Sequence, residues 1–505
     1  MSPYKNGTLP NVNRSILATS LIALAMAVVS CRLGESTISG SVQIAPKNKN
    51  ISISTDGGGA GSTVSEITGE VGQAEDFFIN ITDSNGDSLN PDSILWEVIS
   101  GPASITVAPD SLSISISAAL SGNGQIQITI DGQVFLVEYS IAAASPPPSC
   151  PGGPTVFATN MSARTVIGQT NFVNSSANQG GTAAANTLKS PLGVWVKDGK
   201  LYVGDSGNHR VLIYNTIPTT DGAAADAVVG QPDFVTASSG TSATQFAGVQ
   251  GVAVDDNYLM VSEWSNNRIS FWPLSNLSAA THALGQPDLV SGSSNQGGTA
   301  GANTIKNSSQ PAFGGNKYFA TDVNNNRVVV YDKSSFATGM SAETALGQPD
   351  FLTTSFGSAD NKMDAPLGVF SDGTKLFATD LYNNRVLVYN DINSLSTGVD
   401  PDLVVGGSYG NAANQMDDPI SSFYDGTRLL VVDRNNDRIL IFNSLPSPGT
   451  DADIIIGQPG GGTGNHNQCN CSTAAANTLW GPHFVYWDGC RLYVSDTSNH
   501  RVLIY

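Results

Sequence analysis

Charge is scarce in this chain of 505 residues. Charged side chains make up 13% of it, and 23 Lys and Arg face 42 Asp and Glu, a formal net charge of −19. Binding a phosphate backbone requires Lys and Arg gathered into a patch. No such patch occurs, so nucleic acid is excluded as a partner. The apolar run Ile16–Val29 falls short of the roughly 20 residues that a spanning helix needs, and with Lys5 and Arg14 before it, it reads as an export signal. Cysteine is rare, with five in all, so the place of each carries information. No nucleophile, base and metal set assembles anywhere, and no catalytic residue is assigned.

What is present is a repeat. Six times an acidic residue is followed three places on by Asn and five places on by Arg. The copies are Asp205, Asn208 and Arg210; Glu263, Asn266 and Arg268; Asp322, Asn325 and Arg327; Asp380, Asn383 and Arg385; Asp433, Asn436 and Arg438; and Asp496, Asn499 and Arg501. The arginines stand 58, 59, 58, 53 and 63 residues apart, a period that marks a repeat architecture. Each repeat holds four short pieces rich in β-branched and aromatic residues, in the first copy 192–196, 201–203, 210–214 and 226–230. These read as strands, and none has the apolar spacing of a helix. Asp-Gly pairs at Asp198-Gly199, Asp372-Gly373, Asp425-Gly426 and Asp488-Gly489 predict tight hairpins with positive φ at the centre. A motif recurring in every copy is expected to be structural, because a catalytic site brings unlike residues together at one point. Its carboxylate and guanidinium are expected to pin a turn, with His209 and His500 as surface or turn histidines.

Four-stranded units of this kind bury both faces when stacked radially, as in a β-propeller. The Gly-Gln that ends most fourth strands appears once more, at Gly168-Gln169, ahead of the first complete repeat, and the chain stops at Tyr505 after a third strand. The early strand is therefore expected to complete the last sheet and leave no open edge. The run Pro191–Val194, Leu201–Asp205 and Asn208–Tyr214 resembles the NHL repeat, with Asn-His-Arg close to the triplet that gives the repeat its name. The resemblance implies a six-bladed propeller over 160–505 and leaves function open, since such propellers include binding modules, sensors and a few enzymes. A zinc-dependent amidating lyase of similar fold places histidines just after Pro on the first strand of several blades. The positions matched here are Leu192, Gln250, Ala312, Leu367, Ile420 and His483, and one imidazole cannot supply three ligands.

Ahead of the repeats, Val28-Val29-Ser30-Cys31 resembles the lipobox of bacterial lipoproteins. The resemblance implies cleavage before Cys31, lipidation of that residue and a stable anchor. The expected organisation is a signal at 1–30, an anchor linker at 31–36, an immunoglobulin-like β-sandwich at 37–142, a Pro/Gly linker at 143–159 and the propeller. The sandwich reading rests on strand-like stretches between 76 and 139, with Trp96 as its core aromatic.

Export favours oxidised thiols. Of the four remaining cysteines, Cys150 with Cys490 would staple the ring closure and leave Cys469 with Cys471. Cys150 with Cys469 or Cys471 is the competing pattern. The cluster His466, Cys469, Cys471 and His483 fits no standard zinc spacing, and Asp83–Asp87 departs from the calcium-loop pattern, so no metal or cofactor is expected. Long loops before blades 1, 3 and 6 share wording at 178–187, 295–304 and 472–478, on the face expected to carry recognition. The expectation is a monomeric lipoprotein of the bacterial cell envelope, at the outer membrane or cell surface, whose propeller binds a protein or glycan. The alternative is a propeller enzyme, a metal-dependent lyase or a sugar-acting hydrolase or oxidoreductase, with a divalent metal in its channel.

Overall fold

The computed structural model describes Cys150 and residues 153–505 in full, and the backbone of nine strands between Val28 and Ala142. The chain divides into two compact units, Met1–Pro147 and Pro148–Tyr505. The described strands of the first unit form two sheets. One runs Val28–Leu33, Ser36–Pro46, Ala74–Thr82, Ser113–Ala118 and Ala103–Val107, and the other Ile67–Glu70, Gln133–Ala142, Gly122–Ile130 and Ile94–Ser100. Cys31 lies in the strand Val28–Leu33. Its side chain, that of Trp96 and the signal segment before Val28 lie outside the described residues.

The second unit is a six-bladed β-propeller of four-stranded antiparallel sheets. Blade 1 consists of Pro191–Lys197, Lys200–Asp205, Arg210–Tyr214 and Ala227–Val229. Blades 2 to 5 repeat this order from Val249, Pro311, Pro366 and Pro419. Blade 6 takes Pro482–Trp487, Leu492–Asp496 and Arg501–Ile504 from the end of the chain and Thr165–Ile167 from just ahead of blade 1. Thr165 pairs with Ile504, Val166 with Leu503 and Ile167 with Val502, so the early strand closes the ring. Apolar residues on both faces of each sheet are buried against neighbouring blades; Leu201, Val203, Val211 and Leu212 are all inaccessible. A blade alone would expose one of these faces, and radial stacking covers both.

Of the four Asp-Gly hairpins only Asp198-Gly199 is the two-residue turn with positive φ at both centres. In blades 4, 5 and 6 the loops are longer and only the glycine has positive φ. There the aspartate caps the turn instead: Asp372 Oδ1 accepts from the backbone N–H of Thr374 and Lys375 at 2.8 and 2.6 Å. Asp425 and Asp488 do the same. An Asp side chain that bonds the backbone two or three residues on is an alternative route to the same reversal.

Candidate functional site

The recurring acidic–Asn–Arg motif turns the chain between the second and third strand of every blade, at the end from which the long connecting loops also spring. In blade 3, Asp322 Oδ2 accepts from Arg327 Nε at 2.7 Å, Asn325 Nδ2 donates to the same carboxylate, and Asp322 Oδ1 accepts from the N–H of Lys306 at 2.7 Å. Arg327 also donates to the carbonyls of Gly301, Thr304 and Phe351. Asp322 and Arg327 are both fully buried, so the pair joins the loop entering the blade to the loop leaving it.

Blades 1, 2 and 6 repeat the bridge through Arg210, Arg268 and Arg501, which reach Phe234, Leu289 and Phe172 in the outgoing loops. In blades 4 and 5, Arg385 and Arg438 spend every backbone contact on the incoming loop. In the outgoing loops there the place four after the leading glycine is held by Gly410 and Gly461, where the others have Phe or Leu. Burial pushes the carboxyls up while the arginines pull them back, and Asp433 comes to rest at about 6.

His209 and His500 are half-buried residues of the motif turns. They belong to a ring of six clasps made by the residue just before each motif Arg. Every member, His209, Asn267, Asn326, Asn384, Asp437 and His500, has positive φ. Each aims an acceptor at a backbone N–H at the start of the next blade's first strand. His209 Nδ1 accepts from Gly248 at 3.1 Å, Asn267 from Asn307 at 2.9 Å and Asn326 from Ala365 at 2.9 Å. Asn384 accepts from Asp418 at 3.1 Å, Asp437 from Gly481 at 2.6 Å and His500 Nδ1 from Ser190 at 2.9 Å. The last of these crosses the ring closure. Burial pushes both histidines down and lifts Asp437 to about 7.

The innermost strands begin beside these clasps. In blades 1, 2, 4, 5 and 6 their register breaks directly after the first residue. A bulge of this kind re-aims side chains next to a site. The pairing of Lys306 with Asp322 mirrors that of Lys189 with Asp205. In blade 3 the position equivalent to Leu192 is therefore Ser309, and the assignment to Ala312 is corrected by three residues. The ring at this level is Leu192, Gln250, Ser309, Leu367, Ile420 and His483. His483 is its one imidazole; burial first, and Arg434 second, push it down to about 3. Its Nδ1 and Ser309 Oγ are buried without a partner among the described residues.

One step further in, the inner strands touch backbone to backbone. A Cβ on Gly193 would lie 2.6 Å from the N of Val252, and one on Gly251 2.5 Å from the O of Ser309. Beyond them aromatic rings meet across the axis. Trp195 of blade 1 contacts Tyr486 of blade 6 at 4.8 Å and Phe313 of blade 3 at 5.7 Å, and Phe423 contacts Tyr486 and Phe370 at 5.1 and 4.6 Å. Contact between blades 1 and 3, which are not neighbours, is made through the centre of the ring. Aromatics thus meet across the axis at this level, and the motif turns and clasps ring its end on the loop face, its mouth.

That mouth is two-sided. On blades 2 to 4, Val323, Ala365 and Leu381 form an apolar cluster with Trp264 and Leu367, and Tyr382 beside it is 60% exposed. On blades 5, 6 and 1 the equivalent motif positions are Arg434, Thr497 and Ser206. Asn435 Nδ2 there donates to Asp418 at 2.8 Å and to Asp417 at 3.2 Å.

Two disulfides join Cys150 to Cys490 and Cys469 to Cys471. His466 is stacked on Trp480 at 4.7 Å. Among the described residues no three His, Cys, Asp or Glu side chains are grouped to share a metal ion, and no helix is long and apolar enough to cross a membrane.

Residues 188–214, in blade 1, match the family model of the NHL repeat. Similar solved structures include an auxiliary nutrient binding protein from Bacteroides ovatus, at 10% identity and a TM-score of 0.41, covering 86% of this chain and 95% of that one. A structural genomics protein of unknown function from Bacteroides thetaiotaomicron is 11% identical with a TM-score of 0.40, over 92% and 98% of the two chains. A putative phosphatase from the same organism is 10% identical with a TM-score of 0.41, over 92% and 96%. No curated protein matches the chain significantly.

Proposed function

We propose that this chain is a lipoprotein of the bacterial cell envelope whose propeller is a binding module. In this reading Cys31 carries the lipid, the first unit is an immunoglobulin-like stalk, and the propeller engages a protein or glycan at its mouth as a monomer. The observation that carries the reading is the mouth's division into an apolar half around Trp264 and Tyr382 and a polar half around Arg434, Asn435 and Asp418. Aromatic anchors beside placed polar groups are what recognition surfaces use. The clasps and buried ion pairs hold these turns in place, so little ordering cost falls on binding.

Full-length protein, wild type and Trp264→Ala/Tyr382→Ala, would be tested against a glycan array and against envelope and host-surface proteins. Retention of a defined ligand by the wild type, lost in the variant, supports the module. A ligand set that ignores the mouth substitutions, or no ligand at all, defeats it. Labelled fatty acid entering the wild type and not Cys31→Ser tests the anchor. Stoichiometric divalent metal in the purified protein would turn the reading toward the enzyme alternative.

A further inference from the structure

The two disulfides differ in kind. Cys150–Cys490 joins residues 340 apart, and Cys490 is 6% exposed. Cys469–Cys471 joins residues two apart, and Cys469 is exposed with Cys471 half-exposed. A bond across so short a loop restricts the unfolded chain little, so it adds little stability through chain entropy.

The molecule carries its own control for whether this bond is needed to fold its loop. The loop before blade 6 has counterparts before blades 1 and 3. Asn178, Asn295 and Asn467 all have φ of 49°. The following glutamines bridge the same two carbonyls: Gln179 those of Gly168 and Asn186, Gln296 those of Gly285 and Asn303, and Gln468 those of Gly457 and Asn477. Thr187, Thr304 and Thr478 cap the same turn at 2.8, 2.8 and 2.9 Å. Where the counterparts have Gly180-Gly181 and Gly297-Gly298, blade 6 has the four residues Cys469-Asn470-Cys471-Ser472, two more. The flanking turn therefore takes its shape twice without cysteine, and the bond closes only the added residues.

We infer that Cys469–Cys471 is a thiol–disulfide exchange site, presented to external thiols on the loop face. A thiolate of the reductant attacks Sγ of Cys469; the bond to Cys471 breaks as the new S–S bond forms, and Cys471 leaves as a thiolate that takes a proton from water. A second thiolate of the reductant then attacks the reductant's own sulfur in the mixed disulfide and expels Cys469 as a thiolate. Two electrons pass to the cysteine pair, and the reductant leaves as a disulfide. The reverse sequence oxidises an incoming dithiol. Exposure of Cys469 places this bond among those accessible to exchange, whereas the seam bond pairs a half-exposed Cys150 with a buried Cys490.

The test is titration of the full-length protein in graded reduced-to-oxidised glutathione buffers, with a parallel arm using reduced thioredoxin as a protein dithiol. Alkylation and peptide mass spectrometry read each pair separately. Cys469–Cys471 is expected to open at a reducing ratio at least about tenfold milder than Cys150–Cys490, with a mixed disulfide trapped on Cys469. Opening by glutathione identifies small thiols as the partner, and opening by thioredoxin alone identifies a protein. If neither opens it before Cys150–Cys490 yields, the inference fails. The variant Cys469→Gly/Cys471→Gly is expected to keep the wild-type thermal midpoint. A fall as large as that of Cys490→Ser makes the bond structural and overturns the inference.

Discussion

Replacing Arg327 by methionine keeps most of the side chain's volume and removes a buried charge. Asp322 is then left fully buried without its cation, and the carbonyls of Gly301, Thr304 and Phe351 lose a donor. Breaking one side of a buried pair costs about 3–5 kcal/mol. At about 2 °C for each kcal/mol in a unit this large, the thermal midpoint should fall by roughly 6–10 °C. The informative comparison is Asp322→Leu/Arg327→Met. Were the pair only two charges cancelling, an apolar replacement of both would be close to neutral. Here the double change still orphans the Lys306 N–H and those three carbonyls, each worth about 1–3 kcal/mol where water is kept out. The double variant should therefore melt within a few degrees of the single one. Scanning calorimetry and amide exchange at 301–306 and 351–353 would follow it. Recovery of the wild-type midpoint would refute the idea that the arginine acts chiefly as a tie between two loops.

Stability should depend on pH with opposite signs at neighbouring clasps. His209 and His500 are lowered from 6.5 on folding, so the folded state holds fewer protons than the unfolded. Their contribution is complete above 6.5 and lost as pH falls through that value toward their depressed folded values. Asp437 is raised from 3.8 to about 7, so its contribution is full at low pH and is lost as pH rises between those values. His500→Asn keeps an acceptor and should flatten the acid limb of a midpoint-against-pH curve, and Asp437→Asn should raise the midpoint at neutral pH. An unchanged curve in either variant counts against the clasps. Cys490→Ser should cost about 2–5 kcal/mol in chemical denaturation; an unchanged midpoint would mean that the seam is held without the bond. Gly251→Ala places a Cβ 2.5 Å from the Ser309 carbonyl, and overpacking of this kind costs about 1–3 kcal/mol. A circular dichroism melt identical to the wild type would show that the inner strands have room to part.

Much of this fold was legible because it repeats. The arginine period, the spare Gly-Gln at Gly168 and the halt after a third strand were enough to count the blades and close the ring. The clasps were hidden by chemistry rather than distance. His209, Asn267 and Asp437 look like a variable position, yet all are short acceptors, and all tolerate the left-handed backbone that the turn imposes. That shared property was the available signal. The inner ring was misread in blade 3 because Ser308 stands where the other inner strands have Pro or Val, and Pro311, three places on, mimics the missing marker. Three of the four Asp-Gly turns were misread because an aspartate can shape a turn with its carboxylate as well as with its φ. The division of the mouth depends on which residues share a level around the axis, and that needed the register of every blade.

The seam bond also decides how the propeller carries a mechanical load. Thr165–Ile167 is held to its neighbour by a ladder only three residues long, and tension from the N-terminal side would peel such a strand away one rung at a time. Cys150 comes before that strand in the chain and is bonded to Cys490, in the hairpin between the first and second strands of the last blade. A pull arriving from upstream is therefore delivered to that hairpin, and the closing strand lies slack behind it. With the bond reduced, the same force would pass along residues 153–164 toward that short ladder.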